Sequence, residues 1–297
     1  FVQDTWRWSS RWTSMLGVRV EQWRASDGLL ADANRQLEFP GRRELAVSPK
    51  AAIQLEVNQD ASIKASFGRA IRFPTVSELY QGSIATDTIV NNDPDLQPER
   101  SNTSELSWVQ RIPSGRLRAT VFHERTRDAL YSQTDVTATP NVTNIQNVDS
   151  IRTTGLELAA EVGGVGLDDL DILSSVTFAD SIVRANDNFP DSVGKWQPRV
   201  PRWRANLLAT YHPGEHWSFT GGIRYSGRQF GRLDNSDVNG DTFAGTSTFL
   251  VADARIRYRH DDHWSGALGV DNLTDRTYWN FHPFNQRTWV AELRFDY

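Results

Sequence analysis

The sequence predicts an all-β protein, an antiparallel up-and-down β-barrel of the membrane-spanning kind. Three observations carry that expectation. Apolar and polar residues alternate with a period of two through segment after segment, the spacing of side chains on one face of a strand. The connectors between these segments alternate between short and long, as in barrels with tight turns at one rim and loops at the other. Mean hydropathy is only -0.52 with 38% apolar residues, and no apolar run is long enough for a membrane helix, as expected where only every second residue meets lipid.

In chain order, Leu16, Val18 and Val20 oppose Gly17, Arg19 and Glu21, and Ile53, Leu55 and Val57 oppose Gln54, Glu56 and Asn58. Leu117 to Tyr131 reads as a long uninterrupted strand. Leu156, Leu158, Ala160 and Val162 then oppose Glu157 and Glu161. Trp203, Ala205, Leu207, Ala209 and Tyr211 oppose Arg202, Arg204, Asn206 and Thr210, and Phe219 to Phe230 reads as another long strand. Leu250, Ala252, Ala254, Ile256 and Tyr258 oppose Asp253, Arg255 and Arg257. The apolar set is expected to face lipid and the charged set the lumen. Lys64, Arg118, Arg204, Arg224, Arg228 and Arg255 are expected to pair mostly with carboxylates such as Glu105, Glu157, Glu161 and Asp253, or with whatever fills the lumen.

The short connectors are Ser9 to Arg11, Asn58 to Ala61, Pro113 to Arg116, Gly163 to Asp169, His212 to His216 and Arg259 to His263. The long ones are Ala25 to Glu44, Pro74 to Glu99, Tyr131 to Asp149, Ala185 to Val200, Gln229 to Thr246 and Asn280 to Gln286. This gives about thirteen strands, with short turns toward the periplasm and long loops outside. Loops rich in Asp, Asn, Gly and Thr, such as Leu233 to Thr246, are expected to be mobile until a ligand binds. A soluble antiparallel sandwich would also alternate, but its strands usually run about five or six residues.

The remaining composition narrows the function class. Eleven Trp, seven Tyr and fourteen Phe suit aromatic girdles at two membrane interfaces. The absence of cysteine fits an oxidising compartment, and a net charge of -5 argues against a nucleic-acid partner. At the C-terminus, Trp289, Ala291, Leu293, Phe295 and Tyr297 share one face of a last strand, while Val290, Glu292, Arg294 and Asp296 share the other. Such an ending resembles the assembly signal of bacterial outer-membrane barrels and implies, as partners, outer-membrane lipid and the barrel assembly machinery.

Several motifs, taken in order, cover nearly the whole chain. They are SPKAAIQLEVNQDASIKASFGRAIRFPTVSELYQG from Ser48 to Gly82, NNDPDLQPERSNTSELSW from Asn91 to Trp108, DSIRTTGLELAAEV from Asp149, VPRWRANLLATY from Val200, GGIRYSGRQFG from Gly221 and VDNLTDRTYW from Val270. Together they resemble the barrel of TonB-dependent outer-membrane receptors. Their local physics is consistent with architecture: Pro98 ends the preceding loop and Glu99 opens a strand, either as a plain strand start or as a loop anchor near a ligand vestibule, while Asn272 and Asp275 can bond nearby amides and set a kink.

The resemblance implies a barrel of about twenty-two strands around an N-terminal plug. The 297 residues are then expected to be the C-terminal part of the barrel domain, lacking about nine strands, the plug, a signal peptide and the TonB box. The implied function is energised uptake of a scarce nutrient complex, most often a ferric siderophore, at the outer membrane of a Gram-negative bacterium, with TonB engaged through the missing N-terminal region. A receptor for cobalamin, haem or another metal chelate, or a passive porin-like channel, is the alternative.

Ligand contacts are expected near the outer rim, at Arg72, Tyr80, Trp196, Arg228, Trp279 and His282, where aromatic faces and guanidinium groups suit an anionic, aromatic iron chelate. Trp196 and Trp279 equally fit an interface girdle. No catalytic residue, cofactor or resident metal is expected: no nucleophile elbow or P-loop is present, and HPGEH and HDDH, which hold His212, His216, His260 and His263, resemble metal-ligand spacing but also suit polar turns.

Overall fold

The structure is a computed structural model that describes residues 1–31, 36–80, 83–85, 88–135, 139–164 and 169–297. Parts of four expected connectors, at 32–35, 81–82 with 86–87, 136–138 and 165–168, lie outside the described residues, as does Gly82 at the end of the first motif.

Thirteen strands form the wall, each hydrogen-bonded to the next in sequence. They are β1 (Val2–Arg7), β2 (Trp12–Ala25), β3 (Arg42–Glu56), β4 (Ala61–Arg72), β5 (Glu99–Ile112), β6 (Gly115–Asp135) and β7 (Asn141–Val162). The meander continues through β8 (Leu170–Ala185), β9 (Trp203–Tyr211), β10 (Trp217–Ser226), β11 (Phe249–Arg259), β12 (Trp264–Asp271) and β13 (Thr288–Phe295). All of these pairings are antiparallel. Among the described residues, β1 and β13 each pair on one side only.

Alternation decides what each face can meet. On β9, Trp203, Leu207 and Tyr211 are exposed and aligned on one side. From Trp203 to Tyr211 the strand rises about 27 Å, close to the height of the apolar band of an outer-membrane barrel once tilt is allowed for. At the short-turn rim the rings of Trp6, Trp12, Tyr211, Trp217, Tyr258, Trp264 and Phe295 are all exposed, forming one girdle. On the opposite face charges pair across neighbouring strands: Arg118 with Glu157 at 2.9 Å, Arg224 with Asp253 at 3.1 Å and Arg255 with Glu292 at 3.0 Å.

Two stretches depart from the sequence expectation. Tyr131 to Asp149, read as a loop, is largely strand, because β6 and β7 pair out to Asp135 and Val142. This upper part lacks the greasy alternation that signals a lipid-facing strand, since it projects beyond the apolar band. Conversely, the strand expected to reach Phe230 stops at Ser226, where Gly227 donates its N–H to the Trp203 carbonyl at 2.8 Å and the chain turns away.

Proline and glycine mark the places where pairing changes. Pro49 lies inside β3 and lacks a donor, and the β3–β4 ladder begins one residue later at Lys50, so its missing N–H costs no bond on that side. Gly155 on β7 sits opposite Phe122 on β6. A Cβ there would come within 2.2 Å of the Phe122 ring and 2.4 Å of the Phe178 carbonyl oxygen. Gly155→Val is therefore expected to destabilise the wall by roughly 1–3 kcal/mol, read as a lower urea midpoint for the heat-modifiable folded band. Adding Phe122→Ala should restore only part of the loss, because the backbone oxygen remains; an unchanged midpoint in the single variant would contradict this packing.

Candidate functional site

The long loops rise from one rim and are ordered by two small apolar cores. In the first, the sequence TVSE builds a capping box on helix α1 (Val76–Tyr80): Thr75 Oγ1 accepts the Glu78 N–H at 3.3 Å, and a Glu78 carboxylate oxygen accepts the Thr75 N–H at 2.8 Å. Arg72, at the upper end of β4, donates to the other carboxylate oxygen at 2.5 Å. The helix thereby presents Leu79 and Tyr80 to Ala25 and Leu96, with Trp23, Phe39, Leu130 and Ile145 packed alongside. Arg42 crosses beneath, donating to the carbonyls of Pro94 at 2.6 Å and Leu96 at 2.9 Å while lying over the Trp23 ring.

Tyr80, expected from sequence as a ligand contact, is buried in this core, its ring centre 4.9 Å from that of Phe39. Arg72 remains nearly half exposed on the other side of its ion pair.

In the second core, Ala129, Val148, Ile151, Val183 and Leu233 are buried, with Tyr131 and Phe189 against them. Leu233, the first residue of the loop expected to be mobile, is fully buried, and its N–H donates to the Gln133 side chain at 2.9 Å. The Asp237 carboxylate accepts the N–H groups of Gly231 at 2.6 Å and Arg232 at 3.1 Å, and Asn235 clasps both backbone groups of Trp196 at 2.8 and 2.9 Å. The base of this loop is thus tied down by its own Asp and Asn side chains.

The same sector brings cations onto aromatic faces. The Arg202 guanidinium lies 4.5 Å from the Trp196 ring centre, Trp196 meets Phe230 edge-on at 5.6 Å, and Arg228 lies 4.5 Å from the Phe230 ring centre. Arg199, whose N–H donates to the Phe230 carbonyl at 2.8 Å, places its guanidinium 5.2 Å from the Phe281 ring centre. Phe281 in turn contacts His282, which also meets Phe243 at 6.3 Å. Trp279 is half-buried, its N–H donating to Ser247 Oγ at 2.8 Å while its carbonyl accepts the Ser247 N–H at 2.9 Å. Trp196, Arg228, Trp279 and His282 therefore share one sector of the rim, whereas Arg72 and Tyr80 belong to another.

Motif VDNLTDRTYW forms the expected kink. Asn272 and Asp275 both adopt positive φ, 53° and 54°. The Asn272 side chain accepts the Arg276 N–H at 2.9 Å and donates to the Arg276 carbonyl at 2.8 Å, and Asp275 accepts the Arg287 N–H at 2.9 Å. At the opposite rim three of the four turn histidines bond separately through their rings: His216 to the Arg259 carbonyl at 2.7 Å, His263 to the Asp296 carbonyl at 3.0 Å, and His212 to Ser218 at 3.0 Å. Among the described residues no cluster of three or more potential metal ligands forms.

Amphipathic strands in one meander, a lipid-facing apolar side above an aromatic girdle, and long loops on the other rim define an outer-membrane β-barrel wall. Residues 1–273 match the family model described as TonB dependent receptor-like, beta-barrel, and the chain belongs to this family. The ferric-pyoverdine M114 receptor PbuA of Pseudomonas sp. (strain M114) is 26% identical over 275 residues, 90% of this chain and 31% of that protein. The solved structure of the copper transporter OprC superposes with a TM-score of 0.76 at 19% identity, covering 99% of this chain and 47% of OprC. The siderophore receptor PiuA from Acinetobacter baumannii gives 0.76 at 19% identity, covering 97% and 41%. These two likenesses concern the fold. The chain spans about a third of the length of the curated relatives it matches.

Sequence reasoning missed Arg199, Arg202, Phe230, Asn235 and Phe281. Only Asn235 carried a local signal, the Asp-Asn-Ser turn; the rings and guanidinium groups meet across loops far apart in sequence. The TVSE capping box is a purely local pattern of Thr75 and Glu78.

Glu78 gives a pH-dependent test of this rim. Burial alone would raise its carboxyl, but the Thr75 N–H, the Arg72 guanidinium and the Thr75 hydroxyl outweigh burial and hold it below the usual 4.5. A depressed carboxyl stabilises the folded loop above its unfolded value and loses that contribution as pH falls through the folded value, below 4.5. Arg72→Met is expected to lower the protection factor of the Leu79 amide about fivefold at pH 7, with the gap from the parent closing in acid. Equal protection at pH 7 would show that the ion pair does not hold the helix.

Proposed function

We propose that this chain supplies much of the wall and the outer vestibule of a receptor that captures a scarce nutrient complex, with a ferric siderophore as the favoured cargo, and imports it with energy delivered through TonB. The observation that carries the proposal is the run of guanidinium groups on aromatic faces at the long-loop rim: Arg202 on Trp196, Arg228 on Phe230 and Arg199 on Phe281. Such an array suits an anionic chelate with flat rings, because the rings stack while the guanidinium forks donate charge-assisted bonds. Membership of the receptor family and the likeness to a protein named as a ferric-pyoverdine receptor support the same cargo class.

Arg72, Trp196, Arg228, Trp279 and His282 are proposed as ligand contacts, with Tyr80 as a support. The function requires binding and release, and no covalent step. Strands that complete the circuit between the unpaired sides of β1 and β13, a plug and the TonB-contacting segment are assigned to the rest of the receptor. Outer-membrane lipid covers the apolar face, and the exposed row Trp289, Ala291, Leu293, Phe295 and Tyr297 is proposed as the signal for the barrel assembly machinery.

The full-length receptor, expressed in a host lacking its own siderophore receptors, should import radiolabelled iron from one member of a panel of pyoverdine-type, catecholate and citrate chelates, and only when TonB is present. Trp196→Ala with Arg228→Ala should raise the half-saturating concentration about tenfold. Uptake of haem or cobalamin in place of every iron chelate would reassign the cargo, and influx of small solutes without TonB would point to a passive channel.

A further inference from the structure

β8 outlasts its neighbour. The β8–β9 ladder ends where Phe178 faces Trp203, but β8 runs on to Ala185. Residues 194–197 fold back along the edge this leaves. Gln197 donates its N–H to the Ser181 carbonyl at 3.0 Å, Val183 to the Lys195 carbonyl at 3.0 Å and Gly194 to the Val183 carbonyl at 2.9 Å, around an antiparallel bridge between Ile182 and Trp196. The Gln197 side chain pins the same segment to the wall, donating to the Tyr131 hydroxyl at 2.9 Å and accepting from the Ser181 hydroxyl. Backbone groups alternate sides along an extended chain, so those of Trp196 point away from β8, where no strand follows to receive them.

Asn235 stands where that strand would be. Its Oδ1 accepts the Trp196 N–H at 2.8 Å and its Nδ2 donates to the Trp196 carbonyl at 2.9 Å. One carboxamide thus supplies the donor and acceptor of a missing peptide group. Asn235 is itself held in place: its φ is 57°, and its N–H and Nδ2 both donate to the Arg232 carbonyl at 3.1 Å. Leu233, two residues earlier, is fully buried, and Asp237, two residues later, accepts the N–H groups of Gly231 and Arg232. Asparagine is among the few residues with a side chain that enter this left-handed region readily.

The two residues so joined belong to different halves of the cation–ring array. Trp196 carries Arg202 on its face at 4.5 Å, while the loop that holds Asn235 also holds Phe230, with Arg228 on its face at 4.5 Å. Between the halves lies the edge-on contact of Trp196 with Phe230 at 5.6 Å. Ring edges alone leave that spacing soft. Two hydrogen bonds to the Trp196 backbone fix where its ring stands relative to Phe230. A chelate with several flat anionic units presents them at a set separation, and a site already held at that separation binds it without paying to be ordered.

We propose that Asn235 is a positioning residue for cargo selection: through the backbone of Trp196 it sets the spacing at which one chelate engages both the Trp196–Arg202 and the Phe230–Arg228 pairs. This rests on the reading of Trp196 and Arg228 as cargo contacts. The test uses the full-length receptor and the ferric chelate it imports best from the pyoverdine-type, catecholate and citrate panel. Asn235→Gly removes the carboxamide and keeps the positive φ free of strain. It is expected to raise the half-saturating concentration about fivefold, two backbone bonds being lost, and to leave the maximal uptake rate unchanged. In a Trp196→Ala background the same substitution should change half-saturation by less than about twofold, because the ring it positions is gone. Should Asn235→Gly lack the heat-modifiable folded band, Asn235→Asp, which keeps the shape and the acceptor but loses the donor to the Trp196 carbonyl, goes through the same cycle. An equal penalty with and without the Trp196 ring would overturn the proposal, as would an unchanged half-saturating concentration or a loss confined to the maximal rate. Each of these leaves the cargo reading standing. Import of none of the chelates by the parent would sink that reading and this one together, which tells the two failures apart.

Discussion

The constraint on which everything else rests is that no backbone N–H or carbonyl can be left unpaired in hydrocarbon, where each costs several kcal/mol. Thirteen strands meet it by bonding each to its neighbour in sequence, which fixes the alternation of faces and confines irregular backbone to the rims. Proline obeys the same rule: Pro49 lies where β3 has β2 on one side and its ladder to β4 has not yet begun. The constraint lapses above the apolar band, and there the chain turns to side chains for order, with Asn147 bonding both backbone groups of Gln97 and the Asp128 carbonyl.

The tall hairpin of β6 and β7 organises that upper storey. Successive residues on β6 point to opposite faces, so Leu130 enters the core with Leu79 and Leu96, while Ala129 and Tyr131 enter the core with Leu233 and Val183. Loops from distant parts of the sequence therefore lean on a single two-stranded support. Glu99, just after Pro98, ties its strand to this support by accepting the Leu130 N–H at 2.9 Å.

The wall was legible in the sequence because lipid enforces a strict period of two: the faces assigned on β2, β9 and β11, the short turns and the number of strands all follow from it. The upper halves of β6 and β7 were not legible, since residues such as Ser132, Asn144 and Gln146 pair in a ladder without any greasy side for a pattern to register. Of the candidate contacts chosen by residue type and position, Trp196 and Arg228 meet through Phe230. Tyr80, chosen on the same grounds, packs against Phe39, a tertiary contact that no local pattern contains.

The reciprocal bonds between Ser247 and Trp279, with Phe281 donating to the Gly245 carbonyl and Ala244 to the Phe281 carbonyl, join residues 244–247 and 279–281 around an isolated antiparallel bridge between Thr246 and Asn280. A substitution in either stretch therefore acts on the backbone of the other, although the hairpin of β11 and β12 separates them in the chain.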